Sequence, residues 1–151
     1  MNLAEGVPNY LCIRSTSTNE NMFLQVMELS EHGIAVFDKG YNRYSCFAKW
    51  DNSNRYFITR KKENTRYEIV RDFDCSHAED ILKDQLILLN YMENSVSRTV
   101  EVRLVSYTDP QSGEILEFIT NLKGLDPLTI ALLYKNRWGR IFALMSALKS
   151  F

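Results

Sequence analysis

Residues 33–44 read GIAVFDKGYNRY, and the fold turns on how this stretch is taken. Ile34 to Phe37 is a continuous apolar run, bounded by Gly33 before it and Asp-Lys-Gly after it. That pattern predicts a short strand buried on both faces. The neighbouring segments agree. Glu20 to Leu29 has apolar residues at helical spacing, Tyr44 to Trp50 reads as a second helix, and Tyr10 to Arg14 and Tyr56 to Thr59 are further short apolar runs. Strands alternating with helices predict βαβ units and a parallel sheet covered on both sides.

From Tyr67 the texture changes to one strand after another. Tyr67 to Phe73, Gln85 to Asn90, Thr99 to Tyr107 and Ile115 to Thr120 are the β candidates. The last two flank TDPQSG at 108–113, with Pro, Ser and Gly where a hairpin needs them. This part reads as a β-rich insertion. Leu122 to Leu125 then leads into a final helix, with Asp126 as N-cap and Pro127 at its first position.

Asp38 follows the buried strand directly. An acid at the carboxyl end of such a strand sits where open α/β sheets bind their ligands. Asp-Lys-Gly is equally an ordinary turn sequence. One carboxylate cannot hold a catalytic metal pair, which needs oxygen ligands from several segments.

Length and composition set bounds on function. The chain has 151 residues and a net charge of -1, so it predicts one domain and excludes coating nucleic acid or anionic membrane by bulk charge. The charge is nevertheless uneven. After Asn121 stand Lys123, Lys135, Arg137, Arg140 and Lys149 against Asp126 alone, whereas Asp72, Asp74, Glu79, Asp80 and Asp84 face a single Lys83. Cys12, Cys46 and Cys75 are widely spaced and lack a CxxC pair, which argues for buried thiols in a reducing compartment and against zinc or disulfides. No signal peptide or apolar run of membrane length is seen, so a soluble, cytoplasmic protein without membrane contact is expected.

The end of the chain, YKNRWGRIFALMSALKSF at 134–151, has helical composition, basic side chains and no carboxylate. Three readings compete: a DNA-gripping helix, a core helix, or a catalytic helix whose acid has gone.

Four stretches together resemble the bacterial insertion-sequence transposases of the DDE type, in the IS-four group. They are FDKGY at 37–41, YFITRKKEN at 56–64, SYTDPQSGEILEFITN at 106–121 and PLTIALLYKNRW at 127–138. The first is similar to that family's Asp-Arg-Gly-Tyr motif around its second catalytic Asp, with Lys39 in the Arg position. The last is similar to the opening of its Tyr-x2-Arg-x3-Glu-x6-Lys signature.

The resemblance implies an α/β, RNase H-like mixed sheet with flanking helices, interrupted by a β-rich insertion before the last helix and lacking the first strands of the core. Residues 1–151 would form one partial catalytic domain, with the insertion at about 66–120 and the signature helix at about 127–150. It implies Asp38 as a Mg²⁺ ligand, and Asp38, Tyr134, Arg137 and Lys149 as the catalytic set. Arg60, Lys62, Tyr134, Arg137 and Arg140 would contact DNA. The implied partners are insertion-sequence terminal inverted repeats, target DNA, and a dimer with itself or with a full-length transposase. The implied chemistry is strand cleavage followed by attack of the freed 3′ hydroxyl on target DNA.

The signature breaks inside the final helix. Counted from Tyr134, Arg137 falls on the motif, but the Glu position is Ile141 and the Lys position is Leu148, with Lys149 one place further on. One residue of slip is about 100° around a helix. An insertion near Gly139 would repair the lysine and put Phe142 in the Glu position. Upstream, where the family's first Asp lies on a strand before a stretch like VPNYLCIRST, only Glu5 is acidic. The expectation is a copy truncated at both ends and inactive, with a central strand edge left unpaired, poorly soluble or molten.

Three functions follow: a transposase by ancestry, inactive in this form; a non-catalytic DNA-binding or dimerising regulator that keeps Arg60, Lys61, Lys62, Arg137 and Arg140; or a gene remnant without function. Tyr41 and Trp138 read as core packing rather than base stacking, and His32 and His77 as surface or loop residues.

Overall fold

The computed structural model describes residues 10–14, 17–38 and 40–136. Along these residues run β1 (Tyr10–Ile13), α1 (Asn19–Met27), β2 (Ile34–Phe37), α2 (Tyr44–Asn52), β3 (Tyr56–Arg60), β4 (Glu68–Asp72), β5 (Ile81–Glu93), β6 (Val96–Thr108), β7 (Ile115–Thr120) and α3 (Pro127–Lys135). All strands join one sheet in the order β1-β2-β3-β7-β6-β5-β4.

The alternation of side chains across the pleat explains why β2 is apolar throughout. Ala35 and Phe37 enter a core with Val26 of α1 and Phe47 and Trp50 of α2. Ile34 and Val36 enter a second core with Ile130, Ala131, Leu133 and Tyr134 of α3. The sheet is therefore sandwiched between α1 and α2 on one side and α3 on the other. This mixed α/β arrangement agrees with the RNase H-like core expected from the sequence.

The parallel sheet is confined to β1, β2 and β3. β7 pairs antiparallel with β3, and β6, β5 and β4 continue from it antiparallel, so the later strands extend the same sheet. For the consecutive pairs β4–β5, β5–β6 and β6–β7 the short connections favour this, because parallel neighbours need a crossover and hairpins do not. In the β5–β6 hairpin Asn94 (φ 51°) and Ser95 (φ 64°) both adopt the left-handed backbone of a two-residue turn. The β6–β7 turn closes through Asp109, whose carboxylate accepts the Gln111 N–H, and through Gly113 at φ 76°.

Three expectations need correction or limits. The edge of β2 is not left unpaired, since β1 lies along it in parallel register from Tyr10↔Ile34 to Ile13↔Phe37. α3 starts where expected, with Asp126 at the N-cap and Pro127 in the first turn, but the Asp126 side chain makes no capping hydrogen bond. Its described part ends at Lys135, and Arg137, Trp138, Arg140, Ile141, Leu148 and Lys149 lie outside the described residues. Cys12, Cys46 and Cys75 are half-buried and form no disulfide with one another. Among the described residues no helix is long and apolar enough to cross a membrane.

Candidate functional site

The carboxyl ends of β2 and β3 carry the site, and each of its side chains is placed by an identifiable contact. Asp38 continues from β2 and its N–H donates to the Ile13 carbonyl of β1 at 3.0 Å, which holds the residue in line with the strand. The loop then folds back on β3, where the Tyr41 N–H donates to Thr59 Oγ1 at 2.9 Å. Gly40 makes that approach possible. A Cβ there would lie 2.8 Å from Lys62 Cγ and 3.0 Å from the Arg60 carbonyl oxygen, closer than atoms pack. The glycine is needed for space, because its neighbours are the end of β3 itself.

Tyr41 points away from solvent into an aromatic cluster, with ring centroids 5.0 Å from Phe37 and 5.5 Å from Trp50. Burial first, and then its hydrogen bond to Cys46 Sγ, push its hydroxyl well above the ordinary tyrosine value, so it stays protonated. Core packing is its role, as the sequence suggested. His32 is exposed and left-handed (φ 71°), stacked at 6.0 Å on Tyr56.

Tyr134 arrives from the opposite face. Its ring packs 4.8 Å from Phe118, its hydroxyl donates to the Asp38 carbonyl oxygen at 3.0 Å, and the Arg60 guanidinium stands 5.9 Å from its ring centroid. One side chain of α3 thus touches both the loop after β2 and the last residue of β3. Arg60 Nε is buried and makes no hydrogen bond among the described residues.

Asp38, Arg60, Lys62 and Glu63 line an open cavity of about 670 Å³, together with Asn42 and Asn64. A second cavity of about 380 Å³ lies between the same loop and the start of α1, lined by Ser17, Asn19, Asp38 and Lys62. The structure brings together Asp38, Arg60, Lys62 and Tyr134, four of the residues singled out from the sequence. Lys61 lines the same cavity but differs in its partner. Its ammonium pairs with Glu117 at 3.3 Å and its N–H donates to the Glu117 carbonyl at 2.8 Å, so its charge is already engaged by the sheet. Lys135 is likewise committed, 3.1 Å from Asp109 of the β6–β7 turn. The contact with Asp109 raises the Lys135 ammonium, while Gln111 N–H and then Lys135 lower the Asp109 carboxyl, two directions that agree.

The donor set was tested against a divalent metal. Among the described residues no group of three His, Cys, Asp or Glu side chains converges. Asp38 and Glu63 line one cavity, and two carboxylates on separate loops do not supply the oxygen shell that a catalytic magnesium pair requires. These residues do not fit the metal by themselves.

Two supporting residues escaped the sequence reading. Arg103 of β6 binds Asp84 of β5 through Nε at 2.7 Å and Nη2 at 2.9 Å, and its Nη1 donates to the carbonyls of Leu122 at 3.0 Å and Leu125 at 2.6 Å. Four of the five guanidinium N–H donors are directed at oxygen from a site with 5 % residue exposure, and the turn they grip leads straight into α3. Asp84, one of the acids of the 72–84 stretch, is buried. Asn121 accepts the Phe57 N–H at 2.9 Å and donates to the Arg55 carbonyl at 2.9 Å, locking β3 to the end of β7. The only available signal was Arg103 itself, one cation within the otherwise apolar run Val102–Val105.

Residues 13–139 match the model of the family described as transposase DDE domain. The chain belongs to the DDE transposase domain family. It is 24 % identical over 135 residues to y4zB of Sinorhizobium fredii, a protein named as a transposase, with 87 % of this chain and 37 % of that protein covered. The chain thus spans under half the length of the curated relative it matches. In the transposase domain described here, the family match covers β2, the Asp38 loop, β3 and α3 together.

Proposed function

We propose that this chain is a DNA-binding portion of a transposase catalytic domain of the IS-four group, and that it does not cut DNA by itself. The observation that carries the reading is the convergence of Asp38, Arg60 and Lys62 on one open cavity, with α3 held against it by the Tyr134 hydroxyl. A carboxylate flanked by two basic side chains suits a phosphodiester backbone whose position is fixed beside an acid. Arg60, half-buried at the cavity with its guanidinium 5.9 Å from the Tyr134 ring centroid, offers phosphate a planar fork of donors. The substrates are the terminal inverted repeats of the element and target DNA. In a complete transposase site Mg²⁺ would supply charge neutralisation at the scissile phosphate; Asp38 would be one ligand, and the described residues alone do not complete its shell. At the position of the signature Glu the chain has Ile141, which cannot bind a hard cation.

A second reading, a non-catalytic regulator acting on the same DNA or on an intact transposase, shares the Arg60 and Lys62 rim and differs in biology more than in chemistry.

Purified protein should bind duplex DNA with an affinity that falls as salt rises. Arg60→Ala with Lys62→Ala should lower the slope of log affinity against log salt by about two, from the loss of two phosphate contacts. Fluorescence anisotropy over a salt series measures this, and unchanged binding in the double variant would remove the proposed site. Mg²⁺-dependent nicking of inverted-repeat DNA, lost on Asp38→Ala, would overturn the claim that the chain does not cut.

A further inference from the structure

β4 is unlike every other strand, since all five of its residues are exposed. It terminates the sheet, and among the described residues no strand pairs with its outer edge. Ile69, Val70 and Phe73 leave large apolar side chains in water, at 51 %, 49 % and 37 % exposure. Edge strands are guarded by charge, bulges or proline; β4 carries Glu68, Arg71 and Asp72 and a register irregularity, so a strand that adds to it must match those charges.

The register irregularity between Ile69 and Arg71 decides what such an edge can accept. Glu68 stands opposite Leu88 and Arg71 opposite Leu86 on β5. Leu88 and Leu86 are two residues apart and share a face, so Glu68 and Arg71, although three apart, share it too. Neither makes an ion pair with another side chain among the described residues, and Arg71 rests 5.5 Å from the Phe73 ring centroid.

We propose that the outer edge of β4 is a self-association surface, onto which a second copy of this chain adds its own β4 antiparallel about a two-fold axis. In that register each Glu68 lies opposite Arg71 of the other copy, twice over, and Ile69 of each copy meets Val70 of the other beside the axis. Charge selects this register over its neighbours. Parallel addition sets Glu68 beside Glu68, and an antiparallel shift that brings Glu68 to Asp72 opposes like charges. The apolar residues gain cover and the unpaired backbone groups gain partners in the same step. This inference stands apart from the DNA site, because none of these residues lines the cavity at Asp38.

Sedimentation velocity of the chain over a dilution series tests it. The unaltered chain should dimerise reversibly. Glu68→Arg or Arg71→Glu alone should weaken the dimer by about tenfold or more, because each creates two like-charge pairs. The double swap Glu68→Arg with Arg71→Glu should restore it, and an equimolar mixture of the two single variants should form a heterodimer. Val70→Glu, which places charge at the axis, should abolish association while leaving the thermal transition of the monomer in place. A chain that stays monomeric at every concentration overturns the proposal. So does a dimer whose affinity ignores these charges, or single variants that fail to pair with each other.

Discussion

The two halves of the sheet are stabilised by different means. β1, β2 and β3 are strands of 4, 4 and 5 residues, parallel, mostly buried, and joined by helices. β5 and β6 are strands of 13 residues each, antiparallel, with buried inner halves and wet outer halves. In the first half the contacts are apolar: Phe47 stacks on Phe57 at 4.3 Å, and Trp50 packs against Phe37 at 5.6 Å. In the second, charge enters the sheet, through Asp84 with Arg103 and through Glu117 with Ser106, Lys61 and Lys83. A sheet sealed by helices on both faces has no room for charge. One whose cover thins toward the edge must satisfy its polar groups with its own side chains. The site at Asp38 draws on both halves, its loop built by the first and α3 anchored by the second.

The sharpest way to break this comparison is to remove one partner of the buried pair. Asp84→Ala strands the Arg103 guanidinium and should cost about 3–5 kcal/mol in denaturant unfolding. Replacing both partners, Asp84→Leu with Arg103→Leu, should recover much of that loss, although the carbonyls of Leu122 and Leu125 lose their donor. If Asp84→Ala costs no more than an exposed substitution, the second half is not held by charge.

A smaller effect is expected in the first half. Gly40→Ala forces a Cβ against Lys62 Cγ and the Arg60 carbonyl and should destabilise by about 1–3 kcal/mol. Gly124→Ala, whose Cβ would meet nothing within 4 Å, is the matched control and should be close to neutral. Equal effects at the two glycines would show that the Asp38 loop is not tightly seated on β3.

The smallest effect is on pH dependence. Burial pushes the Glu117 carboxyl up, but the Ser106 hydrogen bond and the Lys61 and Lys83 ammonium groups outweigh it, and the net direction is down from 4.5. A carboxyl lowered by folding adds stability above its unfolded value and loses it as pH falls through the folded one. Glu117→Gln should therefore flatten the decline in stability below about pH 4.5, the ordinary glutamate range, and an unchanged acid limb would count against the cluster.

How much was legible from the residues differs between the halves for the same reasons. Ile34–Phe37 and Ile115–Thr120 were marked out by apolar runs ending at turn residues, and their bounds agree with the structure. β5 and β6 extend beyond the expected 85–90 and 99–107 because their outer parts, such as Tyr91–Glu93 with Val96–Arg98, gain their pairing from each other and not from burial. Asp38 was legible as an acid at a strand end, and Gly40 as a turn residue. That Gly40 admits the end of β3 was not legible, since Lys62 and Arg60 are some twenty positions away.

Residue order alone determined the strand before Asp38, the change from alternating helices and strands to strands alone, the start of the last helix at Asp126–Pro127, and membership of a transposase family through motifs in sequence. Tertiary structure decided the rest. It gave Lys61 and Lys135 to ion pairs while Arg60 and Lys62, at the same cavity as Lys61, make none among the described residues; it buried Asp84 out of an acidic stretch; and it set the Tyr134 hydroxyl on the Asp38 carbonyl, 96 residues apart. Hydrophobic period and turn chemistry are local and survive in one dimension. Which of several like charges finds a partner depends on strand register and on which face each residue shares, and those exist only once the sheet has formed.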